Sequence, residues 1–262
     1  MITELVEEVK KKKELRSLDY EFVKSVVDSV VKTFDKDLSK KKHQKEVVKE
    51  SRRILREVYG AFKLHKFHKA NDLVDEISSI TDLETHDKVL SLHTSTKERL
   101  PFYSEIYLKI FSVTGNVNSV LDLGCGLNPI SYPYMNKRNL KYYATELTED
   151  DAKLLNKYFS KLKIKGEAFA LDLTIIPMLP KADVCFMFKL LDTLETIKKN
   201  VSKELVHSLN VKWLVVSFPT RTLGGKNKIS KNRLSWFKQI IKDYKYEEFE
   251  VFNEVFFIVK LK

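Results

Sequence analysis

The segment from Ser119 to Asn128, SVLDLGCGLN, constrains the fold of this 262-residue chain most strongly. An apolar run ends at Asp122, and a Gly-x-Gly turn made by Gly124 and Gly126 follows at once. Because glycine has no Cβ and tolerates positive φ, such a turn lets the backbone contact a ligand at the end of a strand. The pattern predicts a pocket for a nucleoside cofactor. Pro129 replaces the third glycine of the dinucleotide-binding fingerprint, and the sequence contains no Walker-type phosphate loop.

The texture of the sequence changes near residue 112. Before it, apolar residues such as Phe22, Val26, Val30 and Phe34 recur every four positions, which is typical of amphipathic helices. After it, short β-branched or aromatic runs alternate with helical stretches, which indicates βαβ units around a mostly parallel sheet. We therefore expect an α-helical module over residues 1–112 and an α/β domain over residues 113–262.

Seven strands are predicted in the second part of the chain. The last two are joined by Asn253-Glu254 and are predicted to form a hairpin, which introduces an antiparallel strand into the sheet. The predicted strands span 119–123, 141–145, 167–171, 183–188, 212–217, 247–252 and 255–261.

Charge is concentrated in the first quarter of the chain. The formal net charge is +11, and residues 1–70 carry 19 Lys or Arg against 12 Asp or Glu. This asymmetry favours a function that involves a polyanionic partner, which would be either nucleic acid or an anionic membrane. A lysine-rich solvated surface with no partner is the alternative.

Three consecutive predicted strands end in acidic residues, namely Asp122, Glu146 and Asp172. Ligands of open α/β sheets bind beyond the carboxyl ends of the strands, so these acids are expected to converge on one crevice. A carboxylate after the second strand can accept hydrogen bonds from both hydroxyls of a ribose, whereas it would repel phosphate. The carboxylate and backbone of Asp172-Leu173 can serve an adenine. The alternative is that each acid caps the helix that follows it.

A basic side chain for an anionic part of the ligand is available just before the sheet. The segment 92–102 reads LHTSTKERLPF, in which Ser95 and Glu98 spell a capping box, so a helix is expected to start there. Arg99 follows by one residue and could pair with a carboxylate through two N–H groups.

Cysteine usage and the N-terminus exclude several classes. Cys125 and Cys185 are the only cysteines, and neither a C-x-x-C motif nor a histidine cluster occurs, so we expect no disulfide framework and no metal site. The N-terminal residues lack the apolar region of a signal peptide, and no apolar run is long enough to span a bilayer. We expect a cytoplasmic protein with no membrane partner.

Several motifs together resemble the aminoglycoside-resistance 16S ribosomal RNA methyltransferases that modify guanine N7 at the decoding site. The motifs are HTSTKER with Pro101 and Phe102, LDLGCGLNP, FKLLDTLE from Phe188, SFPTRTLGGK from Ser217, and Trp236-Phe237. They occur in the family's order and cover roughly residues 85–240. The resemblance implies a Rossmann-like class I methyltransferase fold, in which a seven-stranded sheet ends in an antiparallel hairpin.

The resemblance also implies the cofactor S-adenosyl-L-methionine and assigns residues to it. Arg99 is expected at the methionine carboxylate, Glu146 at the ribose, and the Asp-Leu pair at the adenine. Glu146 departs from relatives that carry Asp at this position. The expected cofactor-binding set is His93, Ser95, Arg99, Asp122, Gly124, Gly126, Glu146, Leu147, Asp172, Leu173, Lys189, Leu190 and Leu191.

Guanine N7 has an in-plane lone pair and attacks a methyl group without first losing a proton, so we expect no general base and no catalytic residue beyond those that position the reactants. The [N/D]-P-P-[Y/F] loop common in enzymes that methylate exocyclic amines is replaced here by Phe188–Leu191. An extruded guanine is expected to stack on an aromatic side chain. The candidates are Phe102, Tyr103, Phe218 and Trp236, although core packing is the alternative for each.

Basic residues are expected to bind the RNA by contacting phosphates and reading its shape. One group lies in a loop after the fifth strand, where Gly224 and Gly225 allow bending, and the other lies in the helical module. The expected RNA-binding set is Lys10, Lys11, Lys12, Lys13, Lys40, Lys41, Lys42, Arg52, Arg53, Arg56, Lys63, Lys66, Lys69, Arg221, Lys226 and Lys228.

We therefore expect a monomeric methyltransferase that modifies guanine N7 of 16S rRNA in the assembled 30S subunit and so confers aminoglycoside resistance. One alternative is methylation of adenine N1 at the decoding site or of another structured RNA. Another is a catalytically idle RNA-binding or ribosome-assembly factor that keeps the fold. A small-molecule methyltransferase is disfavoured because it has no evident use for a basic helical module.

Overall fold

The computed structural model of the protein describes residues 1–221 and 227–262. Up to residue 114 the regular structure is helical, as the four-residue spacing of apolar side chains predicts. Asp19 caps the second helix by accepting a hydrogen bond from the amide of Phe22 at 3.0 Å, and Phe22, Val26 and Val30 are buried along one face. The helices are α1 Ile2–Lys10, α2 Tyr20–Thr33, α3 Lys41–Val58, α4 Ala70–Glu76, α5 Leu83–Leu90, α6 Thr94–Arg99 and α7 Tyr103–Thr114.

In the described part of the chain, seven strands form one sheet, in the order β3-β2-β1-β4-β5-β7-β6. All neighbouring pairs from β3 to β5 are parallel, and β7 is antiparallel to both β5 and β6. The expected fold class is confirmed. The strands are β1 Ser119–Asp122, β2 Lys141–Glu146, β3 Gly166–Ala170, β4 Ala182–Phe188, β5 Val211–Pro219, β6 Lys245–Val251 and β7 Glu254–Lys260.

Helices connect the strands on both faces of the sheet, as right-handed βαβ crossovers require. They are α8 Glu149–Lys161, α9 Leu191–Ile197, α10 Val201–Ser208 and α11 Ser235–Ile240. Short 3-10 turns complete the described structure, at Lys13–Leu15, Gly60–Phe62, Phe67–Lys69, Leu100–Phe102, Asn128–Met135, Leu173–Ile175 and Lys231–Leu234.

The predicted strand limits agree with the structure to within two residues, but the predicted turn of the last hairpin is wrong. Val251 pairs with Glu254, so the turn is Phe252-Asn253 and Glu254 already belongs to β7. The reason is that the side chain of Glu254 is held in the interior by an ion pair with Arg99, which the local sequence does not reveal.

Hydrophobic packing divides the helical half of the chain. Residues between Leu5 and Tyr59 form a core of their own, against which Leu147 and Ile197 also pack. The helices from Ala70 to Thr114 instead share a core with one face of the sheet. The change from helix to strand near residue 112 therefore does not coincide with the change of core, which lies between Tyr59 and Ala70.

Candidate functional site

The glycine turn after β1 is the floor of the site. Gly124 and Gly126 have φ values of +56° and +57°. A Cβ on Gly124 would lie 2.5 Å from Leu190 Cδ1, and one on Gly126 would lie 2.9 Å from the ring of His93. Both positions therefore require glycine, for backbone conformation and for space. Thr145 fixes the turn, because its hydroxyl accepts from the Gly124 amide at 3.1 Å.

Glu146, at the end of β2, joins the turn to the next loop. Its carboxylate accepts hydrogen bonds from the amide of Gly126 and from its own successor Leu147, the latter at 3.1 Å. Burial raises the pKa of Glu146 to about 7, and the nearby negative charge of Asp151 adds to the effect. Glu146 and Leu147 both line a cavity above the glycine turn.

Asp172 both caps the turn that follows it and lines the cavity. Its carboxylate caps the short turn that follows, accepting from the Thr174 amide at 2.8 Å and from the Thr174 hydroxyl at 2.6 Å. Asp172 and Leu173 also line the same cavity as Glu146. Capping a turn therefore does not remove this carboxylate from the pocket wall.

Asp122 was expected in the crevice and does not line the cavity. It is fully buried, and its Oδ2 accepts from Tyr142 Oη at 2.6 Å and from Asn128 Nδ2 at 2.8 Å. Burial raises the pKa of Asp122 to about 6. The expectation is wrong because β1 directs this side chain beneath the turn, where it joins β1 to β2 and to the 3-10 turn beginning at Asn128.

Helices of the N-terminal half cover the cavity. Its lining includes Phe22 from α2, Tyr59 after α3, and the aromatic rings of Phe62 and Phe67. Of the expected cofactor-binding residues, Leu191 does not line it, since it is buried in the core beside the sheet. Those that do are His93, Ser95, Arg99, Gly124, Gly126, Glu146, Leu147, Asp172, Leu173, Lys189 and Leu190.

Lys63 was expected to face RNA, but it belongs to this cover. Its ammonium contacts Asp151 at 2.7 Å and the hydroxyl of Tyr59, and lies 4.6 Å from the ring centroid of Phe67. Burial alone would lower the pKa of Lys63, but Asp151 and Tyr59 outweigh it and hold the pKa above its ordinary value. Lys63, Tyr59 and Asp151 thus tie the N-terminal helices to the first turn of α8.

Sequence reasoning missed Tyr59 and Asp151 as site residues. Thr148 accepts from the Asp151 amide and donates to the Asp151 carboxylate at 2.7 Å, which is a capping arrangement at the start of α8. The spacing Thr148-x-x-Asp151 is a visible signal for that helix start. Nothing local indicates that the same carboxylate also binds Lys63 from the other half of the chain.

His93 is buried in the wall of the cavity. Its ring stacks on Phe62 with centroids 5.7 Å apart, and burial together with the positive charge of Arg99 lowers its pKa to about 3, so it is neutral. Its Nδ1 has no hydrogen-bond partner among the described residues. A buried polar nitrogen without a partner is unusual, and it is consistent with a site built to receive a ligand.

A buried ion-pair cluster forms one end of the cavity. Arg99 donates from Nε and Nη2 to both carboxylate oxygens of Glu254, at 2.8–3.0 Å, and its Cζ lies 4.9 Å from the ring centroid of Phe188. Lys189 Nζ lies 2.6 Å from Glu98 and 3.3 Å from Glu254. The side chains of Arg99 and Glu254 are only 4% and 5% exposed.

This cluster favours the ionised form of Glu254. It also gives Glu98 a partner other than the expected one. Burial alone would raise the pKa of Glu254, but Arg99 and Lys189 outweigh it and lower the pKa. The expected capping box is wrong, since α6 begins at Thr94 after His93 and none of the described side chains caps it. Glu98 pairs with Lys189 instead, because the helix already starts one residue before Ser95.

Two of the candidate stacking residues are in the core. Tyr103 and Phe218 are fully buried, so neither can receive a base, and core packing is the correct interpretation for both. Trp236 is partly buried and packs edge-on against Phe218 with centroids 5.9 Å apart. Phe102 is half-buried and stacks on the exposed ring of Phe252.

The basic residues expected to bind RNA differ in how free they are. Lys11 is paired with Glu8, Arg53 with Glu50 and Glu57, and Arg56 with Glu14, all at the surface. Arg52 donates to the backbone of Glu8 and Val9, and Lys10 to that of Leu18. The exposed members that have no such partner among the described residues are Lys12, Lys13, Lys40, Lys41, Lys42, Lys66 and Lys69.

The structure describes only part of the loop after β5 that was expected to contact RNA. Arg221 and Lys228 face each other across an isolated antiparallel bridge. Gly224, Gly225 and Lys226 lie outside the described residues.

Residues 1–221 and 227–262 contain neither a metal-binding cluster nor a membrane-spanning helix. Within them, no group of three or more His, Cys, Asp or Glu side chains is arranged to hold a metal ion. No helix in these ranges has both the length and the apolar character that crossing a bilayer demands.

Comparison with known proteins identifies the family. The sequence profile described as ribosomal RNA methyltransferase (FmrO) matches residues 16–236. The 16S rRNA (guanine(1405)-N(7))-methyltransferase of Serratia marcescens is 32% identical over 214 residues, which cover 80% of this chain and 81% of that protein. The protein of the same name from Micromonospora echinospora is 28% identical over 228 residues, covering 82% of each chain.

The fold comparison agrees with the sequence comparison. The crystal structure of the 16S rRNA methyltransferase RmtF in complex with S-adenosyl-L-homocysteine matches with a TM-score of 0.84 and 30% identity. The match covers 99% of this chain and 97% of RmtF. The resemblance seen in the sequence motifs is confirmed, and the chain belongs to the ribosomal RNA methyltransferase (FmrO) family.

Proposed function

We propose that this protein transfers a methyl group from S-adenosylmethionine to N7 of a guanine in the decoding site of 16S rRNA, within the assembled small subunit. The family match over residues 16–236 carries the proposal. Its relatives from Serratia marcescens and Micromonospora echinospora are named 16S rRNA (guanine(1405)-N(7))-methyltransferases, which supports the choice of guanine N7. The added methyl and positive charge would exclude aminoglycosides from that site.

The cavity fits S-adenosylmethionine in its chemistry. The two glycines allow close approach of the ligand, since a Cβ at either would collide with Leu190 or His93. Glu146 suits the ribose hydroxyls, and Asp172 with Leu173 suits the adenine. A guanidinium has five N–H donors, and Arg99 uses Nε and Nη2 for Glu254, so it can also serve the methionine carboxylate.

When bound, S-adenosylmethionine supplies an electrophilic methyl carried by a sulfonium. Guanine N7 would accept that methyl through its in-plane lone pair, and the electron pair of the broken carbon–sulfur bond would stay on sulfur. This displacement needs no proton removal, so the protein acts through position and electrostatics. Glu254 holds Arg99 and Lys189, and Ser217 accepts from the Lys189 amide, beside the end of β4, where the segment Phe188–Leu190 lines the cavity.

The pKa of Glu146 predicts how cofactor affinity depends on pH. Only the carboxylate form accepts from both ribose hydroxyls, so protonation below a pKa of about 7 opposes binding. We expect the Kd of S-adenosylhomocysteine to rise about tenfold between pH 8 and pH 6. Calorimetric titration at both values tests this, with Glu146→Gln as the control, which should bind weakly and equally at both. An unchanged wild-type Kd would contradict the assignment.

We propose that the groove between α1 and α3 is the main RNA-docking surface of the protein. Six cationic side chains line it against two acidic ones, Glu4 and Glu8. Two of the six, Lys45 and Lys49, were missed in the sequence and lie on one face of α3 with Lys41, at four-residue spacing. The six are Lys12, Lys41, Lys45, Lys49, Arg52 and Arg56.

Substituting glutamine for Lys41, Lys45 and Lys49 tests this surface. We expect the slope of log affinity for small subunits against log salt to become shallower by about 3, because each phosphate contact contributes about 0.9. The Kd of S-adenosylhomocysteine should not change. The control is the same change at three exposed lysines elsewhere, Lys165, Lys203 and Lys242. Equal salt slopes for the two triple variants would contradict the docking surface.

The activity itself is tested by incubating the protein with labelled cofactor and purified small subunits. Primer extension after cleavage at N7-methylguanine is expected to show one stop, at a decoding-site guanine. A stop at an adenine would favour the N1 alternative. Cofactor binding without transfer to any ribosomal particle would favour an idle assembly factor. We expect the protein to be cytoplasmic. We also expect it to be a monomer, which analytical ultracentrifugation can test.

A further inference from the structure

Phe252 combines exposure with an unfavourable backbone conformation. It is 60% exposed and is the first of the two residues in the β6–β7 turn. Its φ is +53°, whereas a two-residue hairpin turn normally places glycine or asparagine where φ is positive. A bulky residue kept in such a position is a sign that its side chain has a use. The strained backbone therefore indicates that the position of the ring matters.

The turn lies at the edge of the sheet where the cofactor cavity opens. β6 runs parallel to β5, so its carboxyl end lies at the same edge as the ends of β1, β2 and β4. The amide of Thr220, just after β5, donates to the carbonyl of Asn253 at 2.8 Å and holds the turn there. Phe252 is thus placed by the sheet and not by a free loop.

The turn also shares a wall with the cofactor cavity. Arg99 and Lys189 line that cavity, and they also line a small neighbouring cavity together with Phe102 and Phe252. Glu254, which follows the turn, pairs with both cations. Since Arg99 is assigned to the methionine carboxylate, the aromatic pair adjoins the end of the cavity at which the methyl group is expected.

The two rings form a flat, backed surface. Phe102 and Phe252 have centroids 5.3 Å apart and an interplanar angle of 18°. Phe102 is half-buried and packs against the core, so it supports Phe252 from behind. Stacking on one side leaves the other side of the exposed ring open for a planar ligand.

We propose that the Phe102–Phe252 pair is the stacking platform for the purine extruded from the rRNA. The inference rests on the proposed function. A base taken out of an RNA helix loses its stacking partners, and an aromatic ring replaces them irrespective of sequence. Methylation of a ring nitrogen also makes the purine positively charged, and an aromatic face attracts that charge as it develops. The platform therefore serves both extrusion and transfer.

Phe252→Leu tests the proposal, because leucine keeps the apolar character and removes the flat ring. We expect kcat on small subunits to fall about 10- to 100-fold, the range given by the stacking of one base. The KM for small subunits and the Kd of S-adenosylhomocysteine should stay within about threefold. Phe252→Tyr and Phe252→Trp should restore kcat. Tyr246→Leu is the matched control, since Tyr246 is exposed at the other end of β6.

A second pair of variants separates strain from stacking. Phe252→Gly removes the Cβ from a positive φ, so its Tm should exceed that of Phe252→Ala, while both transfer methyl groups equally slowly. Full kcat in Phe252→Leu, or an equal loss in Tyr246→Leu, would overturn the platform while leaving the proposed function intact. A wild-type protein that binds S-adenosylhomocysteine but methylates no small subunit would contradict both the platform and the proposed function.

Discussion

Replacing Glu254 with alanine is expected to lower the free energy of unfolding by about 3–5 kcal/mol, the usual cost of breaking a buried ion pair. The substitution leaves the guanidinium of Arg99, whose side chain is 4% exposed, without its two-oxygen partner. It also leaves Lys189 and Arg99 close together with Glu98 as the remaining carboxylate of the cluster. An uncompensated buried charge is much less favourable than the intact pair.

Urea denaturation followed by circular dichroism measures this loss. Glu84→Ala is the control, because its salt bridge with Lys88 is exposed and should matter little. The double variant Arg99→Leu with Glu254→Leu removes both charges and should recover most of the stability, while it still loses affinity for S-adenosylhomocysteine. A Glu254→Ala protein as stable as the Glu84→Ala control would show that the cluster does not stabilise the fold.

Replacing Glu146 with alanine is expected to weaken binding of S-adenosylhomocysteine by about 100-fold or more. Two hydrogen bonds from ribose hydroxyls to a carboxylate contribute about 1.5–3 kcal/mol each, and 1.4 kcal/mol corresponds to tenfold. The loss also frees the amides of Gly126 and Leu147, which the carboxylate holds in the turn. Both effects reduce affinity.

Calorimetry at pH 8, where Glu146 is mostly ionised, gives the relevant Kd. Glu149→Ala is the matched control, since Glu149 is exposed three residues further on and does not line the cavity. The control should bind as the wild type does. A Glu146→Ala protein whose Kd is within threefold of the wild-type value would show that Glu146 does not bind the ribose.

The sequence predicts those parts of the molecule that depend on neighbouring residues in the chain. The strands are predicted by short apolar runs. The glycine turn is predicted by the Gly-x-Gly sequence itself, because the backbone conformation at Gly124 and Gly126 is a local property. Glu146 could also be found, since the end of a strand fixes where its side chain lies relative to the sheet edge.

The remaining site residues depend on contacts between distant parts of the chain. Arg99 and Glu254 are 155 residues apart, and Lys63 and Asp151 are 88 apart, so no local pattern signals either pair. Asp122 illustrates the same limit, since its burial depends on Tyr142 from the neighbouring strand. Phe252 occupies the turn because Glu254 already pairs with Val251, and the Arg99 side chain that binds Glu254 is 155 residues away in the chain.

A crystal structure of the protein with S-adenosylhomocysteine would show whether this cavity is the cofactor site. We predict the ribose hydroxyls on the Glu146 carboxylate, the adenine beside Asp172 and Leu173, and the methionine carboxylate on Arg99. The nucleoside would then lie over Gly124 and Gly126, beneath the N-terminal helices. Density for the ligand elsewhere, or a ribose turned away from Glu146, would contradict the account.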